Sequence, residues 1–311
     1  MQKHITRAAR LAAGFAVAGL ALTACGSDDT TAGGDTGAGT DTAAGGGGTV
    51  TLGFLPSWTD GLSTAYVWQH VLEEQGYEVD FQEINDAALL YAGLAGGDFD
   101  VYPSAWPEVT HEDYMDEYGG QIEDLGTWYD GAVLTMAVPD YVEGVESIAD
   151  LQGQADRFDG RIVGIEPGAG LTRVVGEDAM PTYELEGDYE LVTSSTAAML
   201  AELQSAVNSE EDIVVTLWRP FWASSEFPVR DLADPEGAMG DPEGLHELAR
   251  SGFSDDMPEV AEWMGNFSLT DAQYGELEDM VVNEYGEGQY EEAVDAFFEA
   301  NPDVMDQIMG S

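Results

Sequence analysis

Short apolar runs with a period of two alternate along the chain with longer runs of helical period. Thr49–Leu55 predicts a β-strand, and Leu62–Gln75 predicts a helix that ends at Gly76. Further strands are predicted at 78–84, 99–102, 133–138, 161–165, 189–193 and 212–218, and helices at 87–94, 147–151 (with Ser147 as N-cap), from 171 and at 196–207, followed by a helical acidic tail over 256–307. This order predicts an α/β fold with mostly parallel sheets flanked by helices.

The first 48 residues have a different composition and predict targeting. Residues 1–10 are basic and residues 11–23 are apolar, so 1–24 is predicted to be a secretory signal peptide. Leu22-Thr23-Ala24 before Cys25, the chain's single cysteine, resembles a bacterial lipobox and predicts a lipidated Cys25. The alternative is an ordinary signal peptide with an incidental cysteine. Residues 26–48, with nine Gly and five Thr, predict a flexible linker.

Two stretches of the folded part repeat one order of elements. Residues 49–140 and 160–230 each run strand, helix, strand, helix, strand, although their sequences are not obviously similar. Two such units behind a secretion signal and a linker are typical of a two-lobed clamshell that binds a ligand between its lobes. We therefore expect an extracytoplasmic protein, lipid-anchored to the outer face of the cell membrane or lying in a periplasm.

The charge balance changes the picture for the whole folded part. From Cys25 onward there are six Arg, no Lys and 61 acids, a balance of −55. This excludes non-specific nucleic-acid binding, which needs a surplus of Lys and Arg. It predicts adaptation to saline surroundings, because self-repulsion opposes the compact state until salt screens it. An ordinary acidic exported protein is the alternative.

Three of the seven Trp stand where predicted strands end. They are Trp58, Trp106 and Trp218. Ligands of open α/β sheets bind outside the carboxyl ends of the strands, so these three residues from both units can meet in one cleft. Aromatic faces attract quaternary ammonium groups, which predicts a cation cage. The other four are Trp68, Trp128 and Trp263, which are expected to pack in the interior or between elements, and Trp222, which stays open between packing and ligand contact.

Two features close to these Trp predict an anion site. His111 follows Trp106 by five residues, at the start of a helical segment, where it is either an anion donor or a capping histidine. The turn from Gly168 to Leu171 lies between a predicted strand and a predicted helix and offers free backbone amides. A cation cage beside an anion site describes a site for a zwitterion.

Several stretches together resemble the glycine betaine/proline betaine substrate-binding lipoproteins of ABC importers, over about residues 50–305. They are Gly53-Phe54-Leu55-Pro56-Ser57-Trp58, Ser104-Ala105-Trp106 with Thr110-His111, Gly164 to Leu171, Thr193-Ser194-Ser195 with Ala197-Ala198-Met199-Leu200, and Val214 to Pro220. The resemblance implies a Trp prism of Trp58, Trp106 and Trp218 around the trimethylammonium group. It also implies that His111 and the amides of Gly170 and Leu171 hold the ligand carboxylate.

The same resemblance implies a fold and partners. The fold is the two-lobed periplasmic-binding-protein type, with lobe 1 at 49–143 plus about 240–308 and lobe 2 at about 144–239. The partners are glycine betaine or a similar betaine, an ABC permease and, through Cys25, the lipid bilayer, and we expect a monomer without metal or cofactor. The sequence departs from the family at Glu108, between Trp106 and His111, and at Arg219.

Other functions remain open at this point. In the same fold, choline, carnitine, ectoine or dimethylsulfoniopropionate is an alternative ligand. A secreted hydrolase or a structural cell-wall protein is an alternative of another class. The sequence has no Gly-x-Ser-x-Gly elbow, no His-Glu-x-x-His and no catalytic Cys pair, so we expect no enzyme. The acidic run at 111–113 is expected to be a solvated helix face.

The charge balance predicts that stability depends on salt. We expect the melting temperature to rise steeply from low salt to about 1 M NaCl, as the screening length shortens to roughly 3 Å. Thermal unfolding followed by circular dichroism across that range tests this. A melting temperature that stays flat would contradict adaptation to salt.

Overall fold

The structure is a computed structural model that describes residues 47–311 of the chain. The predicted signal peptide, Cys25 and the predicted linker up to residue 46 lie outside the described residues. Within 47–311, every helix is too short or too polar to cross a membrane.

Nine strands within the described residues form one sheet. They are β1 Thr49–Phe54, β2 Glu78–Glu83, β3 Val101–Ala105, β4 Ile122–Pro139, β5 Arg161–Val163, β6 Glu190–Val192, β7 Val215–Arg219, β8 Val229–Asp231 and β9 Glu243–Arg250. Their order is β2-β1-β3-β9-β4-β7-β5-β6, with β8 beside β4. The triplets β2-β1-β3 and β6-β5-β7 are both parallel, and each has its first strand in the middle. The predicted repeat of one architecture in two units is therefore confirmed.

The centre of the sheet is antiparallel, which the pattern did not predict. Strand β9 pairs with β3 on one side and with the first part of β4 on the other. The second part of β4 pairs with β7 and β8. The 18-residue β4 therefore belongs to both halves of the sheet. Parallel pairing holds only in the outer triplets.

Helices connect the strands and form the C-terminal region. They are α1 Thr59–Glu74, α2 Ala87–Gly96, α3 Glu112–Tyr118, α4 Gly170–Arg173, α5 Met180–Thr182, α6 Thr196–Ser209, α7 Ala223–Glu226, α8 Phe253–Asp256, α9 Pro258–Asn266, α10 Asp271–Glu278, α11 Tyr290–Ala300 and α12 Pro302–Ile308. Wider π-helical turns at Val174–Ala179 and Asp279–Tyr285 extend α4 and α10, and 3₁₀ turns lie at Gly119–Gln121, Ile148–Leu151 and Ala155–Phe158. The helical tail is confirmed. So is the Ser147 N-cap, which exchanges hydrogen bonds with Asp150.

The three Trp expected to pack do so. Trp68 is fully buried in α1, and Trp128 is buried in β4, where it stacks on Phe267 with ring centroids 5.7 Å apart. Trp263 meets Tyr77 edge to face at 6.0 Å. Trp128 lies inside β4, so this strand begins well before the predicted 133–138. The pattern did not predict the early part of β4 because that part is mostly polar.

Every Arg within the described residues is ion-paired with an acid. The pairs are Arg157–Asp212, Arg161–Glu202, Arg173 with Asp113 and Asp178, Arg219–Asp231, Arg230–Glu146, and Arg250 with Asp100 and Asp256. Six Arg cannot neutralise the many remaining carboxylates. The excess negative charge is therefore left to solvent and salt, which is the physical basis of the predicted salt dependence.

Candidate functional site

A cavity lies where the parallel strands of the two triplets end. All six residues predicted to bind a ligand line it. The complete lining is Trp58, Asp60, Trp106, Thr110, His111, Leu134, Ile165, Ala169, Gly170, Leu171 and Trp218. Residues from both halves of the sheet form the wall, so the cavity lies at the junction of the two halves.

Three indole rings contribute aromatic faces to the wall. Trp58 is the N-cap of α1, four residues after the end of β1, Trp106 directly follows β3, and Trp218 is the penultimate residue of β7. Their exposed fractions are only 8, 5 and 5 %. The rings therefore border a site from which most water is excluded, and in such a site cation–π attraction is strongest.

Carboxylates hold two of the indole rings through their N–H groups. Trp106 Nε1 donates to Asp60 Oδ2 at 3.1 Å, and Trp58 Nε1 lies 3.4 Å from Glu166 Oε2. Glu166 follows β5 in the second half and also accepts from the backbone and hydroxyl of Thr196 at 3.0 and 2.9 Å. Through Glu166, the orientation of Trp58 depends on both halves of the structure.

The third indole ring is held by stacking. Phe221 lies behind Trp218 with ring centroids 3.9 Å apart and an interplanar angle of 23°. Trp222, which the sequence left open, is not among the residues of the cavity wall. It borders two other surface clefts and meets Phe221 edge to face at 5.7 Å.

Asp60 is a site residue that the sequence reasoning missed. It is 2 % exposed, lines the cavity and also accepts from Ser104 Oγ at 2.6 Å. Burial raises the pKa of Asp60, and the hydrogen bonds from Ser104 and Trp106 oppose that rise. A quaternary ammonium group in the cage would favour the ionised form of this carboxyl. Its only sequence signal is its place two residues after Trp58, which carries little weight in so acidic a chain.

His111 is a buried, neutral hydrogen-bond donor. Its Nδ1 accepts the backbone N–H of Trp106 at 3.2 Å and lies 2.9 Å from the hydroxyl of Tyr91. An acceptor Nδ1 has no proton, so the ring proton is on Nε2. Burial, with a smaller contribution from the charge of Arg173, lowers the pKa of His111 to about 3. The ring faces the cavity as an uncharged N–H donor.

The amides of Gly170 and Leu171 belong to the first turn of α4, where backbone N–H groups have no acceptor within the helix. They are therefore available to an anion. Gly170 has no room for a side chain, because a Cβ there would lie 1.7 Å from the carbonyl oxygen of Thr110. Nearby, the Tyr114 hydroxyl donates to the Gly168 carbonyl at 2.7 Å. The two halves are thus in direct contact beside the cavity.

Neither departure from the family pattern lies in the cavity wall. Glu108 Oε1 is 2.9 Å from His246 Nε2, on β9. Arg219 forms two hydrogen bonds of 2.8 Å with Asp231. Within 47–311, no group of three or more His, Cys, Asp or Glu side chains is arranged to hold a metal ion.

Comparisons with known proteins agree on one family. The family model described as the substrate binding domain of ABC-type glycine betaine transport system matches residues 48–300. A glycine betaine/carnitine transport binding protein, GbuC of Listeria monocytogenes, is 36 % identical over 144 residues. That match covers 46 % of this chain and 46 % of the relative, so it spans about half of each protein.

Solved structures resemble the chain over most of its length. Lactococcal OpuAC in its closed-liganded conformation, complexed with glycine betaine, is 29 % identical. The match has a TM-score of 0.77 and covers 84 % of this chain and 99 % of that one. An ABC-transporter choline binding protein in complex with choline is 26 % identical, with a TM-score of 0.75 over 84 % of this chain and 91 % of that one. The expected two-lobed clamshell is confirmed.

The hydrogen bonds of His111 predict its behaviour in solution. We expect the ring to stay neutral, with its proton on Nε2, from about pH 8 down to about pH 5, whereas an exposed histidine titrates near 6.5. Long-range ¹H–¹⁵N NMR of the side-chain nitrogens measures both the tautomer and the pKa. A pKa near 6.5, or a proton on Nδ1, would refute this assignment.

Proposed function

The chain belongs to the family of substrate-binding domains of ABC-type glycine betaine transport systems, and on that premise we propose that it captures glycine betaine and delivers it to an ABC importer. The role is osmoprotection by uptake of a compatible solute. The family is a transport family, which favours a binding protein over the hydrolase and cell-wall alternatives.

One observation carries the proposal: the six residues chosen from the sequence all line a single cavity. Three of them present aromatic faces, and the other three present N–H groups. The wall contains no Lys or Arg, and Asp60 is the one acid in it. This arrangement suits a ligand with a cation at one end and an acceptor at the other.

The fit to glycine betaine follows from both ends of that ligand. Its trimethylammonium group gains cation–π attraction from Trp58, Trp106 and Trp218 and Coulomb attraction from Asp60. Its carboxylate accepts hydrogen bonds from His111 Nε2 and from the first-turn amides of α4. A neutral donor suits the site, because a buried imidazolium next to the quaternary ammonium would repel it.

Choline is the second candidate, favoured by Asp60 in the cavity and by the similarity to a choline binding protein. Choline has the same head group but no carboxylate. It would leave the N–H groups on the anion side of the cavity without their best partner. Carnitine, ectoine and dimethylsulfoniopropionate are further candidate ligands, which binding titrations can compare with glycine betaine.

The lobes proposed for this clamshell are 49–143 with about 240–308, and about 144–239. Two contacts support the first lobe. Strand β9 lies in the sheet beside β3, and the rings of Tyr290 in α11 and Tyr66 in α1 have centroids 5.1 Å apart. The C-terminal helices therefore return to the half that begins the chain.

The remaining proposals concern the protein's place in the cell. A lipid on Cys25 would attach the protein to the outer face of the membrane, where it would meet the permease as a monomer. Globomycin sensitivity of processing in cells, or mass spectrometry of the mature N-terminus, tests the anchor. If Cys25 is unmodified, the protein is secreted without a lipid anchor.

A carbon isostere of glycine betaine tests the cage. 3,3-Dimethylbutanoate keeps the shape and the carboxylate but lacks the cationic nitrogen. A merely hydrophobic pocket prefers this isostere, because removing water from a cation costs free energy. A cage with about 0.5–2 kcal/mol per aromatic face prefers the cation. We expect glycine betaine to bind at least about tenfold more tightly in calorimetric titrations.

Two conditions make that comparison decisive. The titrations need high salt, so that the net charge of the protein does not repel the anionic isostere. Trp→Ala at 58, 106 or 218 should narrow the preference, whereas Trp263→Ala, which changes a Trp outside the cavity, should leave it unchanged. Equal or tighter binding of the isostere would reject the cage mechanism.

Replacement of His111 tests the anion side. We expect His111→Ala to weaken glycine betaine binding by about 1–3 kcal/mol, the cost of a lost hydrogen bond to a charged group. Choline binding should change little, since choline has no carboxylate. Isothermal titration with both ligands measures the difference, and equal losses for both would mean that His111 acts only through the structure of its loop.

A further inference from the structure

The segment Trp106–His111 supplies one cage face and one anion donor, and it is fastened to β9. The buried carboxylate of Glu243 accepts the backbone N–H groups of Glu108, Val109 and Thr110, at 3.2, 3.0 and 3.1 Å. Glu243 is 5 % exposed. Three consecutive backbone N–H groups donate to this one buried carboxylate, which fixes the backbone of the segment.

A second attachment uses charged side chains. His246 on β9 lies between two carboxylates, with Nε2 2.9 Å from Glu108 Oε1 and Nδ1 2.9 Å from Asp124 Oδ2 of β4. The other oxygen of Glu108 accepts the Gly244 N–H at 3.3 Å. A Cβ on Gly244 would lie 2.7 Å from His246 Nε2, so the glycine leaves the space that the ring occupies.

The state of His246 is set by these neighbours. Burial lowers the pKa of His246, but the hydrogen bond and charge of Asp124 and those of Glu108 outweigh burial, so the pKa is raised above 6.5. Glu243, the other carboxyl of this region, faces Glu108, and the Thr127 hydroxyl is the remaining polar neighbour, 3.1 Å from Nε2. An imidazolium donates to both carboxylates at once.

We propose that protonated His246 is a positioning residue for the segment Trp106–His111, and that it makes ligand affinity depend on pH. The proposal rests on the function proposed above. Glu108, which departs from the family pattern, is then the side chain through which His246 holds the binding segment, in addition to the amides held by Glu243.

The direction of the pH dependence follows from the hydrogen bonds. A neutral imidazole has one N–H and one lone pair, so it can donate to only one of the two carboxylates. The other carboxylate then faces a lone pair and is repelled. Because the folded pKa is raised, this attachment is complete below about pH 6.5 and is lost as the pH rises through that pKa. Affinity should therefore fall with rising pH.

Titration of the wild type and two Gln variants tests this. Neither glycine betaine nor choline changes charge between about pH 6 and pH 9.5, so any change in affinity comes from the protein. We expect the dissociation constant of the wild type to rise about threefold to tenfold over this range, the scale of a part-buried ion pair. His246→Gln should lack this rise in the dissociation constant.

The matched control is His70→Gln. His70 is also paired with an acid, Asp295 at 2.8 Å, but it lies in α1 outside the cavity wall. This variant should keep the wild-type profile. Glu278 also titrates in this range, since burial and, more weakly, the charge of Asp60 raise its pKa to about 7. Its ionisation adds negative charge near the cage and acts in the opposite direction.

A measurement without ligand separates this inference from the proposed function. Amide NMR signals of Glu108, Val109 and Thr110 should titrate together with His246 in the wild type and not in His246→Gln. Glu108→Gln, a second variant in case the first fails to fold, should lower the measured pKa of His246. If those signals titrate but no betaine binds, the function is wrong and the attachment stands. A dissociation constant that rises no more with pH in the wild type than in His246→Gln overturns the inference.

Discussion

The hydrogen bond from the Trp106 N–H to His111 Nδ1 is the interaction on which the candidate site depends. It closes a six-residue loop at the end of β3 and puts an aromatic face and a hydrogen-bond donor at a fixed separation. It also decides the chemistry of the ring, because an occupied Nδ1 leaves the proton on Nε2. Burial keeps that ring uncharged, so in the proposed complex a single short segment contacts both ends of the zwitterion without adding a competing cation.

Much of the fold could be predicted because its outer strands follow simple rules. The triplets β2-β1-β3 and β6-β5-β7 are bounded by turn residues and helices of clear period, and the three Trp stand at their ends. The strand β9 was not predicted because its sequence places Glu243, His246 and Glu247 among apolar residues. Only the structure shows why acids are tolerated there: Glu243 is bound by backbone amides, and Glu247 accepts the indole N–H of the buried Trp68.

The site residues divide in the same way. Those chosen from the sequence are three Trp and a His, which are rare in this chain, and Gly170 and Leu171, which belong to a glycine-rich turn between a strand and a helix. Asp60 and Glu166 were missed because one acid among 61 carries no signal by itself. Their importance is spatial, since each accepts an indole N–H and so fixes the plane of a cage ring. Such supporting acids follow from packing, which a single sequence does not reveal.

The division of the cavity wall between the two halves has a consequence for ligand choice. The cage takes two rings from the first half and Trp218 from the second, while the anion side takes His111 from the first and the α4 amides from the second. In the proposed complex, each end of the ligand is therefore a cross-link between the halves by itself. A quaternary ammonium compound without a carboxylate would still bridge the two halves through the cage. Such compounds would then differ in how long they keep the closed form, and closure alone would not distinguish one ligand from another.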